Sequence, residues 1–309
     1  MRVGAMKGWM TTVVLSATLL LTGCGPEQVN LEGKTMGTSY SIRYVTGDDT
    51  PSAGKIQAEI DKRLELVNDQ MSTYRPGSEL SRFNASRAVD KPFPVSAATA
   101  EVVLEALRIN RVTDGALDVT VGPLVNLWGF GPEGRPDKVP SAAALEQRRA
   151  WTGIDKLSVQ GNALVKRIPE LYVDLSSING ENKPWRIAIE RPTAGMEQKA
   201  QLVIQPGEMS IATSGDYRNY FEQDGVRYSH TIDPITGRPI HHHLVSVTVL
   251  SPTCMAADGL STGLNVLGPE RGMALANLMG IPVFMIVKTA TGFEERYSEA
   301  FKPYLNKHS

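Results

Sequence analysis

Apolar residues at Ile56, Ile60, Leu64 and Val67 recur at helical spacing, and predict a helix from Lys55 to Gln70. Ahead of it, Thr38 to Tyr44 (TSYSIRY) alternates as a strand does, and residues 47–54 (GDDTPSAG) form a turn-rich break. GPEQVNLEG, residues 25–33, reads as a tether or a first strand. Pro76-Gly77 closes the segment after the helix. Ser96 suits the N-cap of a second helix, Ala97 to about Val112, with Val102, Val103, Leu107 and Ile109 facing inward. GALDVTVGPLVNLWGFGPEG, residues 115–134, combines glycine and proline with many apolar side chains, which predicts a buried, tightly folded connection. Residues 141–151 read as a short polar helix and Leu157 to Val165 as a strand.

Beyond Trp185 the pattern turns to strands: WRIAIE, QLVIQP, MSIATSG, NYFEQDG, VRYSHTID and LVSVTVL. Asp224-Gly225 and Pro234-Ile235-Thr236-Gly237 mark antiparallel turns between them. Two helices, about Thr253 to Leu267 and Pro269 to Leu278, precede the strand PVFMIVK. Hairpins packed with helices predict an α+β fold of antiparallel sheets and helical layers. No internal repeat, coiled-coil heptad or low-complexity tract interrupts it.

The N-terminus changes this picture. Arg2 and Lys7 precede an apolar run from Trp9 to Leu21, followed by Thr22, Gly23 and Cys24. That is the order of a secretory signal, and the run is shorter than the roughly 20 residues a membrane span needs. A cysteine directly after Leu-Thr-Gly resembles a bacterial lipoprotein signal, so residues 1–23 are expected to be removed and Cys24 to carry lipid. Residues 24–309 would then be one extracytoplasmic domain, anchored to a membrane on its periplasmic side, with the inner membrane the favoured one. Cys254 is the only other cysteine, so no disulfide framework is expected, and it reads as a buried, inert thiol. With 32 basic and 33 acidic side chains, the chain lacks the basic excess of a nucleic-acid binder.

Chemistry enters at CMAADGLSTGLNVLG, residues 254–268, where Asp258 sits among small and apolar residues. On a helix, Cys254, Asp258 and Thr262 share a face. Two readings are open. Asp258 caps the helix, or Thr262 bonds back to the carbonyl of residue 258; alternatively, carboxylate and hydroxyl hold one hard cation such as Mg²⁺. In SHTIDPITGRPIHHH, His230 lies beside a hairpin turn whose Asp233-Pro234 and Thr236-Gly237 are ordinary turn chemistry. Of the three consecutive histidines, only His241 and His243 share a strand face, and zinc would want at least a third ligand. An exposed strand start is the favoured reading there. Tyr74, Trp128 and Phe130 are aromatic residues near glycine-rich backbone, suited to stacking or simply to a core. Thr213-Ser214-Gly215 is a small polar turn able to meet a phosphate, but no Walker motif, Gly-x-Gly-x-x-Gly, Gly-x-Ser-x-Gly or His-Glu-x-x-His occurs.

Taken together, LEGKTMGTSYSIRY, MSTYRPGSELSRFN, TDGALDVTVGPLVNLWGFG, ATSGDYRNYFEQDGVRYSHTIDPITGRP and CMAADGLSTGLNVLGPE, with an interrupted YVDLSSI, resemble the ApbE family of flavin transferases. The resemblance covers nearly everything after Cys24. It implies an α+β fold related to tunnelling-fold domains, and an enzyme that takes FAD as substrate and Mg²⁺ as cofactor. Such enzymes transfer the FMN half to a threonine hydroxyl of a partner, typically a subunit of a membrane redox pump, and release AMP. Hydrolysis of FAD to FMN and AMP, or FAD binding without catalysis, are the alternatives. The resemblance implies Asp258 and Thr262 as the metal residues, and Met36, Tyr74, Trp128, Thr213, Ser214 and His230 as residues of the FAD site. His230 or Asp258 would act catalytically, relaying the acceptor proton, with His230 favoured. In the family, Asp-Leu-Ser-Ser-Ile runs into a Gly-Tyr-containing helix, a strand and a Gly-Gly turn. Here Ile178 passes almost directly through Asn179-Gly180 to Trp185, so a segment of the family pattern is missing between 178 and 179: either this sequence omits it, the favoured reading, or the protein is a shortened, inactive homologue. With it would go a backbone carbonyl of the metal site and part of the FAD pocket.

Overall fold

A computed structural model describes residues 27–132, 139–175, 187–190, 200–204, 206–215, 220–223 and 226–305. The leader, Cys24, the Ile178–Asn179 junction, the Asp224-Gly225 turn and the WR of WRIAIE lie outside the described residues. The chain divides into two compact units, Met1–Lys62 and Arg63–Ser309.

In the first unit, strands β1 (Gln28–Thr35) and β2 (Thr38–Val45) pair antiparallel, from Gln28 opposite Val45 to Thr35 opposite Thr38. Met36 and Gly37 form the two-residue turn, both at positive φ (50° and 75°). That is the turn type whose twist matches a hairpin. The tether reading of residues 28–33 therefore resolves as a strand. Helix α1 (Ala53–Met71) covers the predicted helix, and its Asp61 carboxylate accepts from the Tyr40 hydroxyl of β2 at 2.6 Å.

In the second unit, Arg75 donates to Glu65 and Asp69 at 2.9 Å each, closing the turn after α1. Helix α2 (Glu79–Ala85) was not anticipated. It is only two turns long, and its amphipathic signal is two residues, Leu80 and Phe83, both buried. Ser78 caps it, and the Glu79 carboxylate accepts from the Ser96 amide (2.8 Å) and the Thr99 hydroxyl (2.9 Å). This ties α2, through the strand β3 (Phe93–Pro94), to the start of α3 (Ala97–Val112). Ser96 is the N-cap of α3, as its position predicts. The buried face of α3 is Val103, Ala106 and Ile109, while Val102 and Leu107 pack at its margins.

The glycine-rich connection holds a short helix, α4 (Gly122–Leu127), and α5 (Ala142–Ala150) follows with Ser141 as N-cap. The single strand expected over Leu157–Val165 is two, β4 (Leu157–Val159) and β5 (Ala163–Lys166). Gln160 and Ala163 exchange both backbone hydrogen bonds (2.9 and 3.1 Å), which turns the chain back on itself. Then come β6 (Ile187–Glu190) with β7 (Ala200–Ile204), β8 (Ser210–Gly215), the hairpin β9 (Tyr220–Gln223) and β10 (Val226–Ser229), and the short pair β11 (Ile232–Asp233) and β12 (Arg238–Pro239).

Strand β13 (Leu244–Ser251) is the centre of the main sheet. It lies between β8 and β14 (Val283–Lys288), with β15 (Phe293–Tyr297) outside β14, all antiparallel. Helix α6 (Cys254–Met279) packs on β13 and β8, and breaks at Gly268, so the two predicted helices meet at a kink. Val247 and Val249 of β13 join Ile109, Leu117, Leu260 and Leu264 in the principal core. On the other side of the sheet, Leu250, Phe284, Ile286 and Phe301 form a second core. Burial on both faces extends to Ser246 and Thr248, which alternate with the valines and are as hidden as they are. Each fully buried aliphatic side chain here contributes about 1.5–3 kcal/mol.

Among the described residues, one charged side chain is placed inside this unit. Lys166 is 1% exposed, and its ammonium donates to the carbonyls of Asn84 (3.3 Å), Ser86 (2.9 Å) and Leu171 (3.2 Å). The Phe83 ring lies 4.6 Å away. Beside it, Asn84 exchanges side-chain bonds with Val173, donating to its carbonyl and accepting from its amide at 2.9 Å each. The irregular segment leading to Asp174-Leu175 is thereby clamped to the end of α2. Burial pushes the Lys166 pKa down to about 8, with Arg87 adding to the shift and Glu170 opposing it. Because the unfolded chain holds this proton up to its ordinary pKa, stability rises with pH between about 8 and 10.5. Urea unfolding across that window is expected to show the rise in the native protein and its absence in Lys166→Met.

Candidate functional site

Helix α6 starts at the Thr253 N-cap, whose hydroxyl accepts from the Ala256 amide at 3.2 Å. Asp258 is therefore one turn inside the helix and is not its cap. Cys254, Asp258, Thr262 and Val266 are the half-buried stripe of this helix, and the residues between them are mostly buried. Cys254 is thus half-buried, not sealed in the core, because it begins that stripe.

The opposite face of α6 is built of glycine. A Cβ at Gly259 would lie 2.6 Å from Ile109 Cδ1, and one at Gly263 would lie 2.7 Å from Thr113 Cγ2. Only glycine lets α6 approach α3 this closely. That approach brings the polar stripe against the end of β8. Ser214 Oγ lies 2.8 Å from Ser261 Oγ and 3.1 Å from Thr262 Oγ1, and Ser261 Oγ donates to the Asp258 carbonyl at 2.9 Å.

These contacts decide between local explanations. The hydroxyl that bonds back to residue 258 belongs to Ser261, and Thr262 instead faces Ser214 across the helix–strand interface. Ser261 was not anticipated as part of this cluster; alternation along the helix hides it until β8 is in place. Thr213 points the other way, and its hydroxyl meets Thr248 Oγ1 of β13 at 2.8 Å. Of the pair expected at the strand end, the structure brings only Ser214 to α6.

Asn265, one turn beyond Ser261, is 1% exposed, and neither its Oδ1 nor its Nδ2 has a hydrogen-bond partner among the described residues. The donors gathered at Asp258, Thr262 and Ser214 are all oxygen, the set that suits a hard cation such as Mg²⁺. Among the described residues, no group of three or more His, Cys, Asp or Glu could hold a metal ion. His241 and His243 are exposed, in keeping with a strand start, and His242 between them is half-buried.

His230 stands between β10 and β11 within an aromatic wall. Its ring is 6.3 Å from Phe130, edge to face, and Phe130, Phe221, Tyr228 and Trp128 continue the stack at 5.0–5.5 Å. Trp128 is 1% exposed, and its indole N–H donates to the Gly237 carbonyl at 2.8 Å. Its ring supports the hairpin after His230 from behind. Within that hairpin, Asp233 accepts from the Ile235 amide (2.9 Å) and the Thr236 hydroxyl (3.0 Å), as turn chemistry predicts. Below the turn, a cleft of about 430 Å³ is lined by Asp118, Arg149, Thr152 and Ile235 among others. Burial raises the Asp118 pKa, against the lowering effect of the Thr120 hydroxyl and amide that bond to it at 2.6 and 2.8 Å. Tyr74 is 67% exposed on the loop after α1, and Met36 is 42% exposed at the tip of the first unit's hairpin.

The model of the ApbE family matches residues 36–182 and, separately, 178–285. An FAD:protein FMN transferase of Vibrio cholerae is 54% identical over 338 aligned positions, covering 98% of this chain and all of that protein. A protein of the same name from Haemophilus influenzae is 45% identical, covering 94% of this chain and 96% of its own length. Among solved structures, the flavin transferase ApbE from Vibrio cholerae superposes with a TM-score of 0.83 at 53% identity, covering 91% of this chain and 100% of its own. The apo flavinyl transferase ApbE of Pseudomonas stutzeri superposes with the same TM-score at 38% identity, covering 92% and 98%.

The unsatisfied amide of Asn265 yields a stability prediction. Replacing it with leucine, which has the same branching at Cγ, removes two buried polar atoms without partners among the described residues and is expected to stabilise the protein by about 1–3 kcal/mol where the larger methyl groups are accommodated. Denaturant melts of Asn265→Leu against the native chain measure the change.

Proposed function

The chain belongs to the ApbE family and is an enzyme of the FAD:protein FMN transferase kind, and we propose that it transfers FMN to a threonine hydroxyl of a partner protein in a Mg²⁺-dependent step that releases AMP. The observation that carries this reading is the oxygen cluster on α6 and β8, with Asp258 and Thr262 one helical turn apart and Ser214 beside them. In the proposed step the threonine Oγ attacks the phosphorus of the FMN half. The pyrophosphate bond breaks, AMP leaves with the bridging oxygen, and a phosphoester to threonine forms.

Asp258 and Thr262 would hold the cation, which when bound neutralises charge on the phosphates and orients them. Because the Ser261 hydroxyl donates to the Asp258 carbonyl, it accepts from Ser214, which in turn accepts from Thr262 and leaves the Thr262 lone pairs for the cation. The acceptor threonine loses its proton to His230, imidazole being the side chain best suited to general-base work near neutral pH. Phe130 packs its ring edge to face against His230. Met36, Tyr74 and Trp128 are assigned to the flavin site on the family resemblance, with Trp128 acting through the hairpin that it braces.

The chain is 309 residues long, whereas the Vibrio cholerae alignment spans 338 positions, so at least 29 of those positions have no counterpart here. The family model also matches in two pieces that meet at residues 178–182. We assign the shortfall to a segment absent between Ile178 and Asn179, and the mass of the mature protein from its native source tests that. The domain is taken to be lipid-anchored at Cys24 on the periplasmic side and to modify subunits of membrane redox pumps. Among the described residues no helix is long and apolar enough to cross a membrane.

Incubation with FAD, Mg²⁺ and a threonine-bearing acceptor peptide, followed by mass spectrometry, distinguishes the possible outcomes. A peptide heavier by one FMN is expected. Free FMN would instead make the protein a pyrophosphatase, and intact FAD would make it a binder. Asp258→Asn is expected to abolish the mass gain. His230→Ala should slow single-turnover transfer about 10²–10⁴-fold and flatten its pH profile near neutrality; an unchanged profile would remove His230 from the mechanism.

A further inference from the structure

In a continuous α-helix the amide of residue 269 donates to the carbonyl of residue 265. Residue 269 is proline and has no N–H, and at Gly268 (φ 79°, ψ 179°) the backbone leaves the helical conformation. The Asn265 carbonyl, at the end of the first half of α6, therefore loses its intrahelical donor. His242 supplies one from outside the helix: its Nε2 lies 2.6 Å from Asn265 O. The other ring nitrogen, Nδ1, accepts from the Leu244 amide at 3.3 Å. An acceptor at Nδ1 assigns the proton of the neutral ring to Nε2, so both nitrogens are used in complementary roles. The imidazole also lies over the kink, where a Cβ at Gly268 would come within 3.0 Å of His242 Cδ2.

The placement of this contact gives it a consequence for the site. The first half of α6 carries Asp258, Ser261 and Thr262, and it meets α3 through Gly259 and Gly263. A glycine face approaches closely but offers no side chains to interlock, so it resists sliding along the helix axis poorly. Leu260 and Leu264 of this half-helix pack in the principal core, and fixed points at its two ends add to the axial restraint. The N-terminal end is fixed by Thr253, and the C-terminal end by His242, which is itself held at the start of β13 by the Leu244 amide.

We propose that His242 is a positioning residue for the transfer reaction: its imidazole replaces the amide missing at Pro269 and so holds the half-helix bearing Asp258 and Thr262 in register with Ser214. This rests on the reading of Asp258 and Thr262 as the cation site. His242 touches no reacting atom in this account. It acts through Asn265 and the helix, as outer partners of metal ligands do, and their loss typically weakens metal binding 10–100-fold.

Two variants and one spectrum test it. In ¹⁵N-histidine NMR of the metal-free and FAD-free protein, one imidazole is expected as the neutral Nε2–H tautomer, and that signal is absent from His242→Gln. The Mg²⁺ concentration for half-maximal transfer, and Mg²⁺ binding by calorimetry without FAD, are then compared across variants. His242→Met, which has no donor, is expected to need about tenfold more Mg²⁺, with the FAD KM within about twofold of native. His242→Gln, whose amide N–H can still reach the Asn265 carbonyl, is expected to stay within about threefold. A Met variant with native Mg²⁺ dependence, a Gln variant as impaired as Met, or an Nδ1–H tautomer in the spectrum would each overturn the proposal. If His242→Met does not fold, the Gln variant decides alone: within about threefold supports the role, and a tenfold shift overturns it. A native protein that binds no Mg²⁺ by calorimetry would overturn the cation reading and the positioning role with it, whereas native Mg²⁺ binding with a wrong tautomer sinks only the role of His242.

Discussion

The close approach of α6 to α3 is the constraint on which the rest of the second unit depends. Gly259 and Gly263 leave no room for a Cβ against Ile109 and Thr113. Any larger residue at either position would push the helix outward and carry the Ser261 and Thr262 hydroxyls away from Ser214. The polar cluster therefore exists because of an apolar, space-limited contact on the opposite side of the same helix. Thr113 itself is held from moving, since its hydroxyl donates to the Ile109 carbonyl (2.8 Å) and accepts from the Leu117 amide (3.1 Å). Packing sets the distance here, and hydrogen bonds hold the packing partner still.

Around that contact the fold divides its polar groups into two kinds. Some are fully committed to holding backbone: Lys166 on three carbonyls, Asn84 on both sides of Val173, Trp128 on Gly237, His242 on Asn265. Each lies where the chain leaves regular secondary structure and its backbone groups lack a ladder partner, which is where an unmet carbonyl or amide would be costly. Others meet side chain to side chain: Ser214 lies against Ser261 and Thr262, one helical turn from Asp258. The first kind builds a rigid frame, and the second is the set to which the proposed cation site is assigned.

Much of the frame could be read from the chain because it depends on local periodicity. The Ser96 cap, the α3 face of Val103 and Ile109, the kinked pair of helices after Thr253 and the central strand all follow from spacing within a dozen residues. What escaped is what depends on partners distant in sequence or on very short elements. Helix α2 is seven residues long with two buried side chains, too few to establish a period. The strand read over Leu157–Val165 hid a turn because its apolar residues run on either side of Gln160-Gly161-Asn162. β15 (FEERY) carries three charged residues on an edge strand and gives little apolar signal, as edge strands that resist aggregation tend to do.

The site was legible in its chemistry and less so in its geometry. An isolated aspartate in a run of small residues points to Asp258, and helical spacing adds Thr262, but whether Thr213 or Ser214 turns toward the helix depends on the register of β8 against β13. That register pairs Ser214 with Val247 and Thr213 with Thr248, which sends the two hydroxyls to opposite faces. His242 shows the same limit. Within a run of three histidines, attention falls on the two that share a face and could chelate; the one between them is distinguished only by a proline 27 positions later that lacks an amide. A sequence pattern records which groups a residue owns. Whether those groups are spent on the fold or left for chemistry is decided by the backbone atoms that the rest of the chain leaves unpaired, and at α6 the kink makes that decision for the histidine while the glycines make it for the hydroxyls.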